Sequence, residues 1–374
     1  MTARRRTLRR TGNFGIPLKA TPTTPKLTCM AQGERGGYRP ALDGLRGIAV
    51  LLVILTHAGL PHLDQAGSVG VTLFFVLSGF LITRLLRNEF ERTGRINFRR
   101  FYARRARRLF PALGLLLIAV TAYLLSSRQS LMPVVLAAGY SSNIANATGH
   151  SLPNLDHAWT LSLEEQFYLL WPLVMLVLAR RRNPAWFLLI AAAFSAALRS
   201  GLWLSGVPDF RIYYGPDTRA DAILIGCALA FVATSVNVRW LKWAAVASAG
   251  LLVAACALPW STLIWLLIPL PFASATLILW SECHPPRILT WRPLVATGKI
   301  SYGLYLWNYP ASNALHLWDA PLWARTIALL VVSFAMAVLS WYVVERPFRQ
   351  RSASFAPVVA VAEVVALTTQ AHAR

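Results

Sequence analysis

Ten stretches of about 20 mostly apolar residues recur along this 374-residue chain, and each is long enough to cross a bilayer as a helix. They cover residues 43–60, 68–87, 109–127, 159–180, 185–206, 219–235, 243–259, 261–281, 300–317 and 323–344. The expected fold is therefore all-α and polytopic, with about ten transmembrane helices in a single bundle. The composition agrees: 56% of the residues are hydrophobic and 14% are charged, far from the balance of an ordinary soluble domain. An eleventh stretch, 130–147, gathers Gly139, Ser141, Ser142, Asn143 and Asn146 in its second half.

The charges orient the bundle. A formal net charge of +22 in a soluble chain would suggest a nucleic-acid partner. Here the arginines crowd between apolar segments, so the expected partner is the lipid bilayer and no nucleic acid is expected. Residues 84–108 hold ten arginines against two acids, Glu89 and Glu91, and read as a cytoplasmic loop. With ten spans and a cytoplasmic N-terminus, the other basic loops fall on that same side. Counting 130–147 as a span would reverse every later loop, so 130–158 is expected to be re-entrant or interfacial. Both termini are then cytoplasmic, in a multi-pass protein of the inner (plasma) membrane. Residues 1–37 read as a disordered basic segment, with Met30 an alternative start. Residues 38–349 form the membrane domain, and 350–374 a cytoplasmic tail. The four cysteines show no C-x-x-C spacing, and no metal site is expected.

Ionisable side chains inside such spans mark function. Eleven residues at about 100° each bring Arg46 and His57 onto one face of the first span, about 16 Å apart along the axis, with Asp43 on the same stripe. The fourth span opens with His157-Ala-Trp159 and continues to Glu164-Glu165-Gln166-Phe-Tyr168. Two adjacent carboxylates in low dielectric resist joint ionisation, which suits proton transfer, although a structural ion-pair role is the plainer alternative. Arg219 and Asp221 start the sixth span, either as an acceptor-side pair or as a helix cap with an ion pair. Arg104 with Arg107, and Arg105 with Arg108, are i, i+3 pairs placed to chelate phosphates.

These motifs, in this order, resemble the integral-membrane acyltransferase family 3, whose members acylate sugars, polysaccharides and some macrolides. The resemblance is carried by Leu42-Asp43-Gly-Leu-Arg46-Gly with His57, by Phe74-Phe-Val-Leu-Ser78-Gly79-Phe80, and by Phe101-Tyr-Ala-Arg104-Arg105-Ala-Arg107-Arg108-Leu-Phe-Pro111. It continues through His157-Ala-Trp159 to Tyr168, Thr218-Arg219-Ala-Asp221, Ser301-Tyr302-Gly-Leu-Tyr305-Leu-Trp307 and Glu345-Arg346-Pro347-Phe348. It implies acyl-CoA as a co-substrate and no permanently bound cofactor. Arg46 and His57 are its hallmark pair, and the Arg104–Arg108 cluster lies near the CoA phosphates. Asn308 stands where the family commonly has histidine, and an amide does not titrate. The chain ends about 25 residues past the last motif, so the extracytoplasmic hydrolase-like domain of some relatives is not expected.

The expected chemistry is O-acyl transfer of an acetyl or other short-chain group, in the manner of the family the chain resembles, to a hydroxyl of a cell-surface polysaccharide or glycosylated small molecule. His57 acts as general base, and Glu165 or Glu164 orients its imidazole or shuttles the proton. Arg46, Asp43, Ser78 and Gly79 lie on the donor side; His157, Trp159, Tyr168, Arg219, Asp221 and Asn308 lie on the acceptor side. The oxyanion donor is open among Arg46, Asn308, Trp159 and the Ser78-Gly79 amides. A covalent acyl-His57 relay is a second route. A multi-span transporter or flippase of a lipid-linked or sugar substrate is the competing reading, with the same polar residues lining a pathway.

Overall fold

The computed structural model of the chain describes residues 38–232, 238–259 and 262–348. The segments expected to be a basic N-terminal region and a cytoplasmic tail, 1–37 and 350–374, lie outside the described residues. Among the described residues the regular structure is entirely helical, as the apolar segments require. In order come α1 (Pro40–His57), α2 (Ala66–Thr93), α3 (Phe98–Ser126), α4 (Met132–Ala138), α5 (Ser142–Ala147), α6 (Trp159–Leu178), α7 (Pro184–Leu204) and α8 (Asp209–Tyr214). They are followed by α9 (Pro216–Val232), α10 (Val238–Cys256), α11 (Leu263–Leu266), α12 (Pro269–Cys283), α13 (Arg292–Lys299), α14 (Ser301–His316) and α15 (Leu322–Ser340).

The chain is thus an all-α polytopic membrane protein. Seven helical stretches among the described residues are long and apolar enough to cross a membrane. The three remaining expected spans are also helical: α9 has 17 residues and α14 has 16, and in α10 the apolar stretch is the shorter Trp240–Cys256. The span expected over 261–281 is broken into α11 and α12, where Pro269 opens the second helix. Segment 130–158 forms α4 and α5, of seven and six residues, too short to cross.

One expectation needs correction. The arginine-rich connection 84–108 is mostly helix, because α2 runs on to Thr93 and α3 begins at Phe98. The true turn is residues 94–97. Gly94 closes α2 in the left-handed region at φ 66°, where a side chain would be strained, and the Asn97 side chain caps α3 by accepting from Arg100 N at 2.9 Å. Arg99 to Arg108 therefore stand on a rigid helix, which fixes which of them face inward.

The core is built around α2, whose apolar window is 72% buried, against 22% for α7 and for the stretch containing α15. That difference is what a bundle in lipid should show: central helices are apolar towards protein, peripheral ones towards hydrocarbon. The α2–α9 crossing is close because both helices present glycine there. A Cβ on Gly79 would collide with the Ile223 carbonyl, and one on Gly226 with the Val76 carbonyl. Helices α7 and α9 are locked by Arg199, fully buried, whose Nη1 donates to Asp221 Oδ2 and to Thr218 O at 2.7 Å each. Its Nη2 reaches Leu267 O at the end of α11 at 3.2 Å.

Candidate active site

Two cavities meet at the centre of the bundle, and the residues singled out in the sequence divide between them. The first, about 330 Å³, lies among α1, α2, α3, α6 and α14. Arg46, Ser78, Arg104, Arg105, Arg108, Glu164 and Tyr168 line it, over an apolar floor that includes Phe74, Leu77, Leu81 and Phe101. Arg46 donates from Nε and Nη2 to Ser301 Oγ, at 3.3 and 3.2 Å, so α14 orients the guanidinium carried by α1. Arg105 bonds Glu165 Oε1 at 3.4 Å, and its guanidinium carbon lies 3.0 Å from the Tyr168 ring centroid. A cluster of guanidinium groups beside an apolar trough can hold a molecule with an anionic end and a slender neutral arm.

The second cavity, about 420 Å³, contains His57, His157, Asp156, Trp159, Tyr213, Tyr214 and Tyr309. His57 is the last residue of α1, and its backbone carbonyl accepts from Ser312 Oγ at 2.6 Å, which ties the end of α1 to α14. Its Nδ1 meets Asn308 Oδ1. The amide is not free to turn round: Asn308 Nδ2 donates to Leu304 O at 2.9 Å and to Tyr305 O at 2.7 Å, and a flipped amide would set oxygen against oxygen. Oδ1 is therefore the acceptor, Nδ1 carries the proton, and the lone pair of a neutral imidazole sits on Nε2.

Tyr309 packs edge-on to His57 and tilted against His157, with both centroid separations 5.0 Å, and its hydroxyl donates to Asp156 Oδ2 at 3.1 Å. Asp156 also accepts from Leu152 N at 2.6 Å and from Ser151 Oγ at 3.1 Å. His157 is buried among these aromatic rings, 5.6 Å from the Tyr305 ring centroid. With aromatic rings on several sides and a carboxylate fixed among donors, this cavity suits a polar, hydroxyl-bearing ligand with apolar faces.

Several expected groupings change. Glu164 and Glu165 do not attend His57: Glu164 lines the arginine cavity and Glu165 pairs with Arg105, because α6 carries them about two turns beyond His157. Asn308 takes the place expected of them. Tyr168, expected on the acceptor side, lies with Arg105 in the first cavity. Asp221 is committed to Arg199 in a buried structural pair, with 2.7 Å between charged atoms. Arg219 lines neither cavity but sits behind the second, 5.2 Å from the Tyr213 ring centroid and 5.9 Å from that of Trp159. Gly79 serves the α2–α9 crossing, Asp43 lies outside the first cavity's lining on the α13 side of α1, and Arg107 is exposed outside that lining. The α3 guanidinium groups that line the first cavity are thus Arg104, Arg105 and Arg108, rather than two i, i+3 pairs.

Tyr305 and Tyr309 were not singled out for a role, although a pattern was available. Tyr302, Tyr305 and Tyr309 recur at i, i+3 and i+7 along α14, a single helix face. That face runs from the first cavity, lined by Tyr302 and Tyr305, into the second, lined by Tyr305 and Tyr309.

Fold and site together define a polytopic helical protein with a guanidinium cavity and an imidazole cavity abutting inside one bundle. A family model described as "Acyltransferase domain" matches residues 39–345, and the chain belongs to that acyltransferase family. The chain is 31% identical over 352 residues to the peptidoglycan O-acetyltransferase OatA of Listeria monocytogenes, covering 84% of this chain and 56% of the relative. It is 32% identical over 353 residues to the putative peptidoglycan O-acetyltransferase YrhL of Bacillus subtilis, covering 83% and 55%. To the O-acetyltransferase OatA of Staphylococcus aureus it is 31% identical over 351 residues, covering 84% and 58%. The chain thus spans a little over half the length of the curated relatives it matches. No solved structure matches it significantly.

Proposed function

We propose that this protein is a membrane O-acyltransferase that moves an acetyl group from acyl-CoA, bound in the arginine cavity, to a carbohydrate hydroxyl in the imidazole cavity. The observation that carries the reading is the fixed tautomer of His57, whose Nδ1 proton is held by an amide that cannot flip, leaving a basic Nε2 at the second cavity. The acceptor oxygen attacks the thioester carbon while its proton passes to Nε2. The C–O bond forms, the C–S bond breaks, and the CoA thiolate leaves and recovers the proton from the imidazolium. Arg104, Arg105 and Arg108 hold the anionic end of the donor, Arg46 and Ser301 stand further along the same cavity, and the trough of apolar side chains takes the pantetheine arm.

Charge placement supports a plasma-membrane location with the arginine cavity facing the cytoplasm, where CoA esters occur, and the imidazole cavity facing outward. The similarity to peptidoglycan O-acetyltransferases supports a cell-wall glycan as the first acceptor to try. Lipid-embedded protein given radiolabelled acetyl-CoA and peptidoglycan fragments is expected to release CoA and label the glycan. His57→Ala should reduce turnover by about 10²- to 10⁴-fold, the share general-base catalysis supplies, with CoA affinity kept. CoA release no faster in wild type than in His57→Ala would sink the assignment. Solute uptake into vesicles without CoA release would favour transport instead.

A further inference from the structure

The two cavities have two lining residues in common, Val71 on α2 and Tyr305 on α14. Both are buried, at 6% and 7% exposure. Around them the partition is aromatic and double-faced. Phe74, on the arginine side, packs edge-on to Tyr305 at 6.4 Å, and Phe75, on the same side, packs edge-on to Trp159 of the imidazole cavity at 5.9 Å. Tyr305 is also held by hydrogen bonds: its hydroxyl accepts from Thr160 Oγ1 at 2.7 Å and donates to His157 O at 2.9 Å. The ring is therefore pinned at the partition, while Val71, also buried there, adds a short, stiff β-branched side chain.

We propose that Val71 and Tyr305 form the port through which the acyl group passes from the donor cavity to His57, and that the width of this port selects unbranched acyl groups. The inference rests on the acyl-transfer reading and adds to it a specificity determinant. A donor whose phosphates stay on α3 must send its thioester end across the partition, since His57 lines only the far cavity. Straight chains present the same cross-section as acetyl at the port. A branch at the α-carbon adds a methyl group that has to pass between a valine and a tyrosine ring, neither of which can turn aside. Selection is thus by girth at the port, and by length only where the second cavity runs out of room.

The test compares acetyl-CoA with isobutyryl-CoA as donors for wild type, Val71→Ala and Val71→Phe, all embedded in lipid with the same glycan acceptor. Wild type is expected to prefer acetyl. Val71→Ala should raise the isobutyryl-to-acetyl ratio of kcat/KM by about tenfold or more, within the 10- to 200-fold that one methyl group decides in a packed site. Val71→Phe should lose about 100-fold or more of acetyl transfer, as misplacement of the reacting groups does, while CoA itself binds with unchanged affinity. Unaltered CoA binding also reports an intact fold. A ratio unmoved in Val71→Ala, with wild type active, overturns the port alone. A wild type that releases CoA from neither donor overturns the acyl-transfer reading beneath it.

Discussion

The two cavities are built on opposite principles, and the contrast fits the proposed division between an anionic donor and a hydroxyl acceptor. In the arginine cavity, position is set by charge: Arg104, Arg105 and Arg108 project from one helix, and Arg105 is braced by Glu165 and the face of Tyr168. Two of these three, Arg104 and Arg108, are exposed, so they can rearrange around an anion at little cost. In the imidazole cavity, position is set by hydrogen bonds from uncharged donors. His57 is fixed by Asn308, Asn308 by two backbone carbonyls, and Asp156 by a backbone amide and two hydroxyls. A binding site tolerates adjustment; the proton transfer proposed for His57 does not, since its geometry must be met within fractions of an ångström.

The sharpest way to break that contrast is at Asn308. Asn308→Leu removes the acceptor for the His57 Nδ1 proton, so the ring loses both its orientation and its fixed tautomer. Turnover should fall by about 100-fold, with CoA affinity unchanged within twofold in a direct binding measurement. Asn308→His should recover most of the activity, because an imidazole can donate one N–H to the helix carbonyls and accept at its other nitrogen. If Asn308→Leu weakens CoA binding as much as turnover, the two cavities are not functionally separate.

On the other side, Arg108→Met should leave kcat at saturating donor nearly unchanged and raise the donor KM by about 10- to 100-fold, the value of one or two hydrogen bonds to a charged group. The same variant should flatten the salt dependence of donor KM, since an exposed guanidinium is screened by salt while the buried amide network is not. A kcat effect without a KM effect would move Arg108 out of the donor site.

What was legible in the sequence follows the same division. Helices were readable because apolar length alone decides them, and Arg46, His57 and the arginines of α3 stood out as charges set in or beside apolar runs. Periodicity within one helix correctly put Arg46 and His57 on one face, but which neighbouring helix each meets depends on packing between distant segments. That is why Glu164 and Glu165 were expected beside His57 when α6 carries them into the other cavity, and why Asp221 gave no sign that Arg199, 22 residues earlier, would claim it. Neutral residues were hardest to read. Asn308 looked like a departure from the family's histidine, whereas its contact with His57 becomes visible only when α14 lies against the end of α1.

The smallest effect expected is also the one that tests how the imidazole cavity keeps its shape. Tyr309 stands between the rings of His57 and His157 and gives its hydroxyl proton to Asp156. Tyr309→Phe keeps both ring contacts and removes one hydrogen bond, so the histidines stay in place while Asp156 retains Leu152 N and Ser151 Oγ as donors. The loss should be about 3- to 10-fold, near the 0.5–1.5 kcal/mol of a single bond, and should appear in kcat/KM for the acceptor while the donor KM holds. Tyr309→Leu removes the ring as well, and a further drop in kcat would assign the packing between the two imidazoles its own part in holding His57. An equal effect of the two substitutions would mean that the hydroxyl alone matters, and that His57 depends on Asn308 for its placement.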